Sequence, residues 1–171
     1  MKVVGKQHKK SYKLNNIIGK GAYGVVYDSF PYAIKEVDTS EMTPDLKKYH
    51  ENEVRILKMF KHENIVRLYD SFWEGHFLYF VMEKCENNLE NFMTNNVIEE
   101  PVAILILKQI VKGFKALYEK RVIHRDLKPQ NILISAQKKF KIADFGLSKM
   151  ISRFDDPLLS SVVGTPLYMS P

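Results

Sequence analysis

Residues 122–134 read V-I-H-R-D-L-K-P-Q-N-I-L-I, and Asp144-Phe145-Gly146 follows ten residues later. In both places polar and charged side chains are confined to a few positions between short apolar runs. The pattern puts Asp126, Lys128, Asn131 and Asp144 on two turns whose flanks are apolar. Whatever fold the chain adopts has to hold those two loops in place.

Ahead of them the sequence is strand-like. Residues 14–18, 24–27 and 32–37 are β-rich and punctuated by glycine, Ser29 and Pro31, which predicts consecutive antiparallel strands. Thr43 before Pro44 supplies an N-cap and a first helical position, with Asp45 in the first turn, so a helix is expected over about 44–59. Leu46, His50, Glu53 or Val54, and Leu57 recur on it at spacings of three and four and give it one packing face. Runs at 65–72 and 77–82 complete a five-stranded small lobe over 12–82, with 1–11 as a basic N-terminal tail and 83–88 as a linker or hinge.

Beyond the linker, 89–94 predicts a short helix and 101–120 a long one, with Val102, Leu105, Ile106, Gln109, Ile110, Gly113, Phe114 and Leu117 on its inner side. The expected class is α+β: a small lobe made of an antiparallel sheet plus one helix, then a helical region over 89–171 that carries the polar loops.

Composition narrows the function classes. Of the 171 residues, 45% are apolar and 27% charged, a globular balance rather than that of a disordered chain. Cys85 is alone and cannot close an internal disulfide, and the basic residues 1–10 have no apolar stretch behind them. An intracellular protein is expected, in cytoplasm or nucleus without distinction. The longest apolar run, 102–107, falls far short of the roughly 20 residues that span a bilayer, so no membrane segment is expected. The net charge of +6 gathers in short patches such as Lys9-Lys10, Lys47-Lys48 and Lys138-Lys139-Phe140-Lys141. These read as solvated lysines, and no nucleic-acid partner is expected.

Gly19-Lys20-Gly21-Ala22-Tyr23-Gly24 fits G-x-G-x-x-G. In a dinucleotide-binding fold a helix leaves those glycines. Here Val25-Val26-Tyr27 and Tyr32-Ala33-Ile34-Lys35 follow as strands, so the glycines sit on a hairpin turn. Such a turn admits phosphate oxygens to backbone N–H groups, with Tyr23 shielding them from water, although an ordinary tight hairpin fits the glycines equally well. Lys35 in an apolar strand needs partners. Phosphate oxygens are one, and Glu53, 18 residues on, is the other.

Asp126 is suited to accept or orient a hydroxyl proton, and Lys128 to neutralise charge on a transferring phosphoryl group. The amide oxygen of Asn131 and the carboxylate of Asp144 are hard, few-membered oxygen ligands of the kind that suit Mg²⁺. His124 has no second histidine at ligand spacing and reads as a packed structural residue.

Hairpin glycines, strand lysine, helix glutamate, H-R-D-L-K-x-x-N and D-F-G occur in one order along the chain, and in that order it resembles eukaryotic protein kinases over residues 12–171. Lys128 and Pro129 within H-R-D-L-K-P-Q-N resemble the serine/threonine branch. The resemblance implies a two-lobed fold, ATP as substrate with Mg²⁺, and a protein acceptor with a serine or threonine hydroxyl. It implies Asp126 as catalytic base, Lys128 and Thr165 as its catalytic companions, and Asn131 and Asp144 as metal ligands. The ATP site would comprise Ile18, Gly19, Lys20, Gly21, Ala22, Tyr23, Gly24, Val25, Val26, Ala33, Lys35, Glu53, Glu83, Cys85 and Leu133. Val26, Ala33 and Leu133 would sandwich the ring, and backbone groups at Glu83 and Cys85 would meet the adenine edge next to Met82 as gatekeeper. Leu57, Leu68, His124 and Phe145 match the family's apolar stack, and Thr165 would also shape the peptide shelf. Arg125 beside Asp126 implies an activation loop switched by phosphate, with Ser161 as the expected site and Ser160 next.

The sequence departs from the family in three places. Only eight residues separate Val26 from Lys35, so the turn around Ser29-Phe30-Pro31 must be nearly minimal, and a one-residue slip would aim Lys35 at the wrong face. Tyr118 stands where a histidine is often found. Ser170-Pro171 occupies the first two positions of the A/S-P-E triplet, so the chain reads as a kinase domain truncated just before that glutamate. The apolar face of 101–120 is then expected to need a partner chain or a missing C-terminal segment as cover. The alternative function is a non-catalytic nucleotide-binding or interaction module from a truncated or split kinase gene.

Overall fold

The computed structural model describes residues 2–21, 24–151 and 164–168. The chain forms two compact units, Met1–Val54 with Arg67–Lys84, and Arg55–Val66 with Cys85–Pro171.

In the first unit, strands β1 (Lys2–Val4), β2 (Tyr12–Leu14), β3 (Ile17–Gly21), β4 (Gly24–Ser29) and β5 (Tyr32–Asp38) precede helix α1 (Pro44–Lys58), whose last residues count with the second unit. Strands β6 (Leu68–Glu74) and β7 (Phe77–Glu83) follow. The expected five-stranded antiparallel sheet is present in the order β3-β4-β5-β7-β6. Its boundaries differ from the sequence reading in two places. The run 14–18 is two strands, because Asn15 and Asn16 exchange backbone hydrogen bonds of 2.9 and 2.8 Å with Asp28 instead of continuing one ladder. The strand expected from residue 65 begins at Leu68, and Ile65 makes an isolated parallel bridge to Ile142 in the second unit.

The stretch read as a basic tail also needs correction, since β1 pairs antiparallel with β2. Val4 is fully buried among Tyr12, Leu14, Ile34, Phe72, Tyr79 and Val81. Lys2 bonds Glu36 and lies 4.6 Å from the Phe77 ring centroid, so this lysine has a partner while its stem covers apolar surface. His8 stacks on Phe72 at 4.8 Å and hydrogen-bonds Asp70 at 2.8 Å.

The β4–β5 hairpin is as short as the spacing demanded. Ser29 pairs with Tyr32, leaving Phe30-Pro31 as the loop, and Val26 pairs with Lys35. Across to β7, Ala33 faces Met82 and Lys35 faces Phe80. Directly opposed residues share a sheet face, so Val26, Ala33, Lys35, Phe80 and Met82 project to one side and Tyr27, Ile34 and Val81 to the other. Helix α1 starts where capping chemistry predicts: the Thr43 hydroxyl accepts the Leu46 N–H at 3.3 Å, with Asp45 in the first turn and Arg55 and Lys58 in the last.

The second unit holds β8 (Cys85–Asn88), α2 (Leu89–Asn95), α3 (Glu100–Glu119), β9 (Val122–Ile123), β10 (Ile132–Ser135), β11 (Phe140–Ile142) and β12 (Lys149–Met150). Single 3₁₀ turns form at Pro129–Asn131 and Pro166–Tyr168. Beside its helices this part carries short strands: β8, within the expected linker 83–88, joins a three-stranded sheet in the order β11-β10-β8, while β12 pairs with β9.

On α3, Ile106, Gly113 and Leu117 are buried. Gly113 is required by close approach, since a Cβ there would stand 2.8 Å from both the Asn64 carbonyl oxygen and Ile142 Cδ1. Asn64, itself buried, donates to Phe140 O at 2.9 Å and to Gln109 Oε1 at 3.2 Å. Val102 and Leu105, assigned to the inner side by periodicity, are 42% and 60% exposed. Apolar residues occur around much of α3, so spacing alone does not fix which side packs; the small Gly113 surface does.

Candidate active site

In the first unit the observation of most consequence is the Lys35–Glu53 pair. Lys35 Nζ donates to both Glu53 oxygens, at 2.8 and 2.9 Å, and lies 5.0 Å from the Phe80 ring centroid. Glu53 is 2% exposed. Burial pushes its carboxyl up, but the charge and hydrogen bond of Lys35, together with His50, outweigh that and hold it below the usual carboxylate range. His50, buried one helical turn earlier, places Nδ1 3.6 Å from Glu53 Oε2. Sequence reading placed His50 on the packing face without recognising this contact; its i, i+3 spacing from Glu53 was the available signal.

The glycine string forms the β3–β4 hairpin, with Gly21 opposite Gly24. Gly24 has a packing reason of its own, because a Cβ there would fall 2.5 Å from the Glu36 carbonyl oxygen. Ile18 is 47% exposed, Lys20 and Val25 flank the turn, and Ala22 and Tyr23 lie outside the described residues.

In the second unit Asp126 is the centre of a compact network. Its Oδ1 accepts from Thr165 Oγ1 at 2.6 Å, and its Oδ2 from Asn131 Nδ2 at 2.9 Å, with Lys128 Nζ also 2.9 Å from Oδ2. Lys128 donates to Thr165 Oγ1 at 2.9 Å, so one hydroxyl accepts from the ammonium and donates to the carboxylate. Burial raises the Asp126 carboxyl, but the bonds from Thr165, Lys128 and Asn131 and the Lys128 charge prevail and hold it below the usual range. The group is an anion at neutral pH.

The turn itself is held from beneath. His124 is 2% exposed and its Nε2 bonds the Ala143 carbonyl at 2.9 Å, which fixes the proton on Nε2 and leaves Nδ1 to accept the Asp126 N–H at 3.3 Å. Burial lowers the imidazole pKa and keeps the ring neutral, as those two roles require. Phe145, fully buried, meets His124 edge-on at 5.0 Å and stacks on Phe60 at 6.2 Å. Arg125 Nε donates to Leu147 O at 2.7 Å. Arg125 and Asp144 have φ of 67° and 61°, left-handed values that cost non-glycine residues about 1 kcal/mol and concentrate at functional turns.

Asn131 Nδ2 also donates to Asp126 O at 2.9 Å, so its amide nitrogen is committed, and a cation here would be met by the amide oxygen. Asp144 is exposed. Among the described residues no group of three or more histidine, cysteine, aspartate or glutamate side chains gathers as a metal cage. Two oxygen donors that leave most of the shell to water and phosphate match the habit of Mg²⁺.

The expected adenine-contacting positions fall on the ends of strands. Glu83 closes β7 and donates its N–H to Arg67 O at 2.8 Å; Cys85 opens β8 opposite Ser135, and Leu133 on β10 faces Asn88. Ser160 and Ser161 lie outside the described residues.

The sequence profile described as the protein kinase domain matches residues 12–171. The chain belongs to the protein kinase family. It is 41% identical to the serine/threonine-protein kinase atg1 of Dictyostelium discoideum, over 94% of this chain and 26% of that protein. It is 35% identical to the probable serine/threonine-protein kinase MARK-A of the same organism, over 94% of this chain and 16% of that one. A mitogen-activated protein kinase of Arthrobotrys oligospora is 37% identical over 90% of this chain and 45% of its own length. The chain thus spans less than half of each of these relatives.

Proposed function

We propose that this kinase domain transfers the γ-phosphoryl group of ATP to serine or threonine hydroxyls of a protein substrate. The observation that carries the reading is the Asp126 carboxylate, kept anionic by Thr165, Lys128 and Asn131 and so able to accept a hydroxyl proton. Lys128 stands beside it with a charge to neutralise the phosphoryl oxygens. In the first unit Lys35, oriented by Glu53, serves ATP phosphates, the 19–24 hairpin lends backbone N–H groups, and Val26 and Ala33 offer apolar surface to the base. In the second, Leu133 does the same, Cys85 offers backbone groups, and Asn131 and Asp144 would hold Mg²⁺ through oxygen. The metal supplies charge neutralisation on the phosphates.

Ser161, or failing it Ser160, is proposed as a phosphorylation site read by Arg125. The exposed side chains of Ile104, Leu105, Leu107 and Val111 on α3 support the reading that another protein surface covers that helix. Among the described residues no helix is long and apolar enough to cross a membrane.

The test is transfer of radiolabelled γ-phosphate to a generic serine/threonine substrate by the chain and by Asp126→Asn. A loss of about a hundredfold or more in the variant is expected for removal of a general base. Equal signals in the two proteins defeat the proposal, and ATP binding without transfer in either would favour a non-catalytic module.

A further inference from the structure

The first unit carries a basic hollow that takes no part in the chemistry above. A depression of about 610 Å³ is lined by Lys9, Lys10, Lys13 and Asn15 on its polar side and by Phe30 and Tyr32 on its apolar side. No acidic residue lines it. The three lysines are exposed, and none has an ion-pair partner among the described residues, whereas nearby Lys2 and Lys84 are matched to Glu36 and Asp28.

The apolar side is presented rather than tucked away. Phe30 is 82% exposed at the tip of the β4–β5 loop, with Lys84 Nζ 6.0 Å from its ring centroid. The Tyr32 ring is fixed edge-on by Tyr12 at 6.0 Å and by Tyr69 at 5.2 Å. Rings already immobilised lose little freedom on binding. An exposed aromatic floor ringed by unmatched positive charge has the composition of an interface awaiting a negatively charged partner. The volume suits one or two side chains of a peptide. A bilayer instead favours an apolar face that inserts along its plane.

We propose that this hollow docks an acidic protein segment bearing one aromatic anchor, with carboxylates facing Lys9, Lys10 and Lys13 and the anchor ring packed on Phe30 and Tyr32. The proposal does not depend on phosphotransfer.

Fluorescence anisotropy tests it with the full chain and a labelled peptide of glutamates around a single tryptophan. Three proteins are compared, each checked for folding by circular dichroism: the unaltered chain, Lys9→Glu/Lys10→Glu/Lys13→Glu, and Phe30→Ala. Charge reversal should weaken binding at least about tenfold, and added salt should weaken binding by the unaltered chain. Phe30→Ala should weaken it about threefold or more with the salt dependence retained, since it removes packing and no charge. If the triple variant fails to fold, Lys10→Ala takes its place, with about a twofold loss expected. No peptide binding, equal binding by the charge variant, or no effect of Phe30→Ala would each overturn the docking site. So would capture of phosphatidylserine vesicles without peptide binding, which would make the hollow a lipid contact.

Discussion

The Thr165 hydroxyl donates a 2.6 Å hydrogen bond to Asp126 Oδ1 while accepting one of 2.9 Å from Lys128 Nζ. Thr165 lies 39 residues from Asp126 in sequence, so a single hydroxyl ties a distant segment to the proposed base. Thr165→Ser keeps that hydroxyl and should retain most phosphotransfer. Thr165→Val removes it at nearly constant volume and should lower kcat by about tenfold, the cost of one bond to a charged group. Steady-state kinetics of the two variants make the comparison, and equal rates would contradict the assigned role.

The depressed ionisation of Asp126 gives a pH signature. A carboxyl whose folded pKa lies below its ordinary value of about 3.9 stays charged until pH falls through the lowered value. Activity requiring the anion should therefore persist well into the acid range and decline only there. Lys128→Met removes both a hydrogen bond and a positive charge from the carboxylate, so the acidic limb of the kcat profile should move to higher pH as well as losing height. An unmoved limb would show that another group sets it.

Removal of Lys35 strands a buried charge. With Glu53 only 2% exposed and Lys35 19%, Lys35→Met should destabilise the first unit by about 3 kcal/mol, typical of breaking one side of a buried pair. Lys35→Met/Glu53→Leu should recover much of that loss, because no uncompensated carboxylate remains. Urea unfolding followed by the fluorescence of Trp73, the single tryptophan, on β6 reads both. A double variant as unstable as the sum of its parts would refute the account.

Gly113→Ala sets two effects against each other. Alanine gains about 1 kcal/mol of helix propensity over glycine. Its Cβ would stand 2.8 Å from a backbone oxygen and from Ile142, and overpacking of that kind costs about 1–3 kcal/mol. Backbone cannot rotate aside as a side-chain tip can, so the contact prevails and net destabilisation is expected in chemical denaturation. A stabilised Gly113→Ala protein would mean that α3 can shift away from β11.

Much of the site was legible because its chemistry recurs at fixed sequence intervals. Lys35 and Glu53 were paired in advance since a strand lysine needs a counter-charge, and the minimal Phe30-Pro31 loop left Lys35 facing that glutamate. Thr165 and Asn131 also fell where the motif order put them, around Asp126. What sequence hid were contacts made by distant partners. Strand β1 read as part of a basic tail because its buried Val4 has only a short apolar neighbourhood, and the acceptors that satisfy Lys2 and His8 lie at Glu36 and Asp70. Val102 and Leu105 were misassigned because α3 is apolar on several sides, and its orientation depends on Asn64 and Ile142 closing on Gly113. That Cys85 to Asn88 form a strand was hidden because the β10 edge they pair with lies more than forty residues later.

Glu36 accepts hydrogen bonds from Lys2, from Tyr27 at 3.3 Å and from Tyr79 at 2.7 Å, donors on β1, β4 and β7. Burial first, and then this carboxylate, push the Tyr79 phenol up to about 12. One anion thus serves three strands, and its loss would remove the acceptor of three donors at once. Inheritance in this corner of the sheet should therefore be collective: related chains that change Glu36 are expected to change Lys2, Tyr27 and Tyr79 with it, whereas single replacements should drift freely at exposed positions such as Trp73.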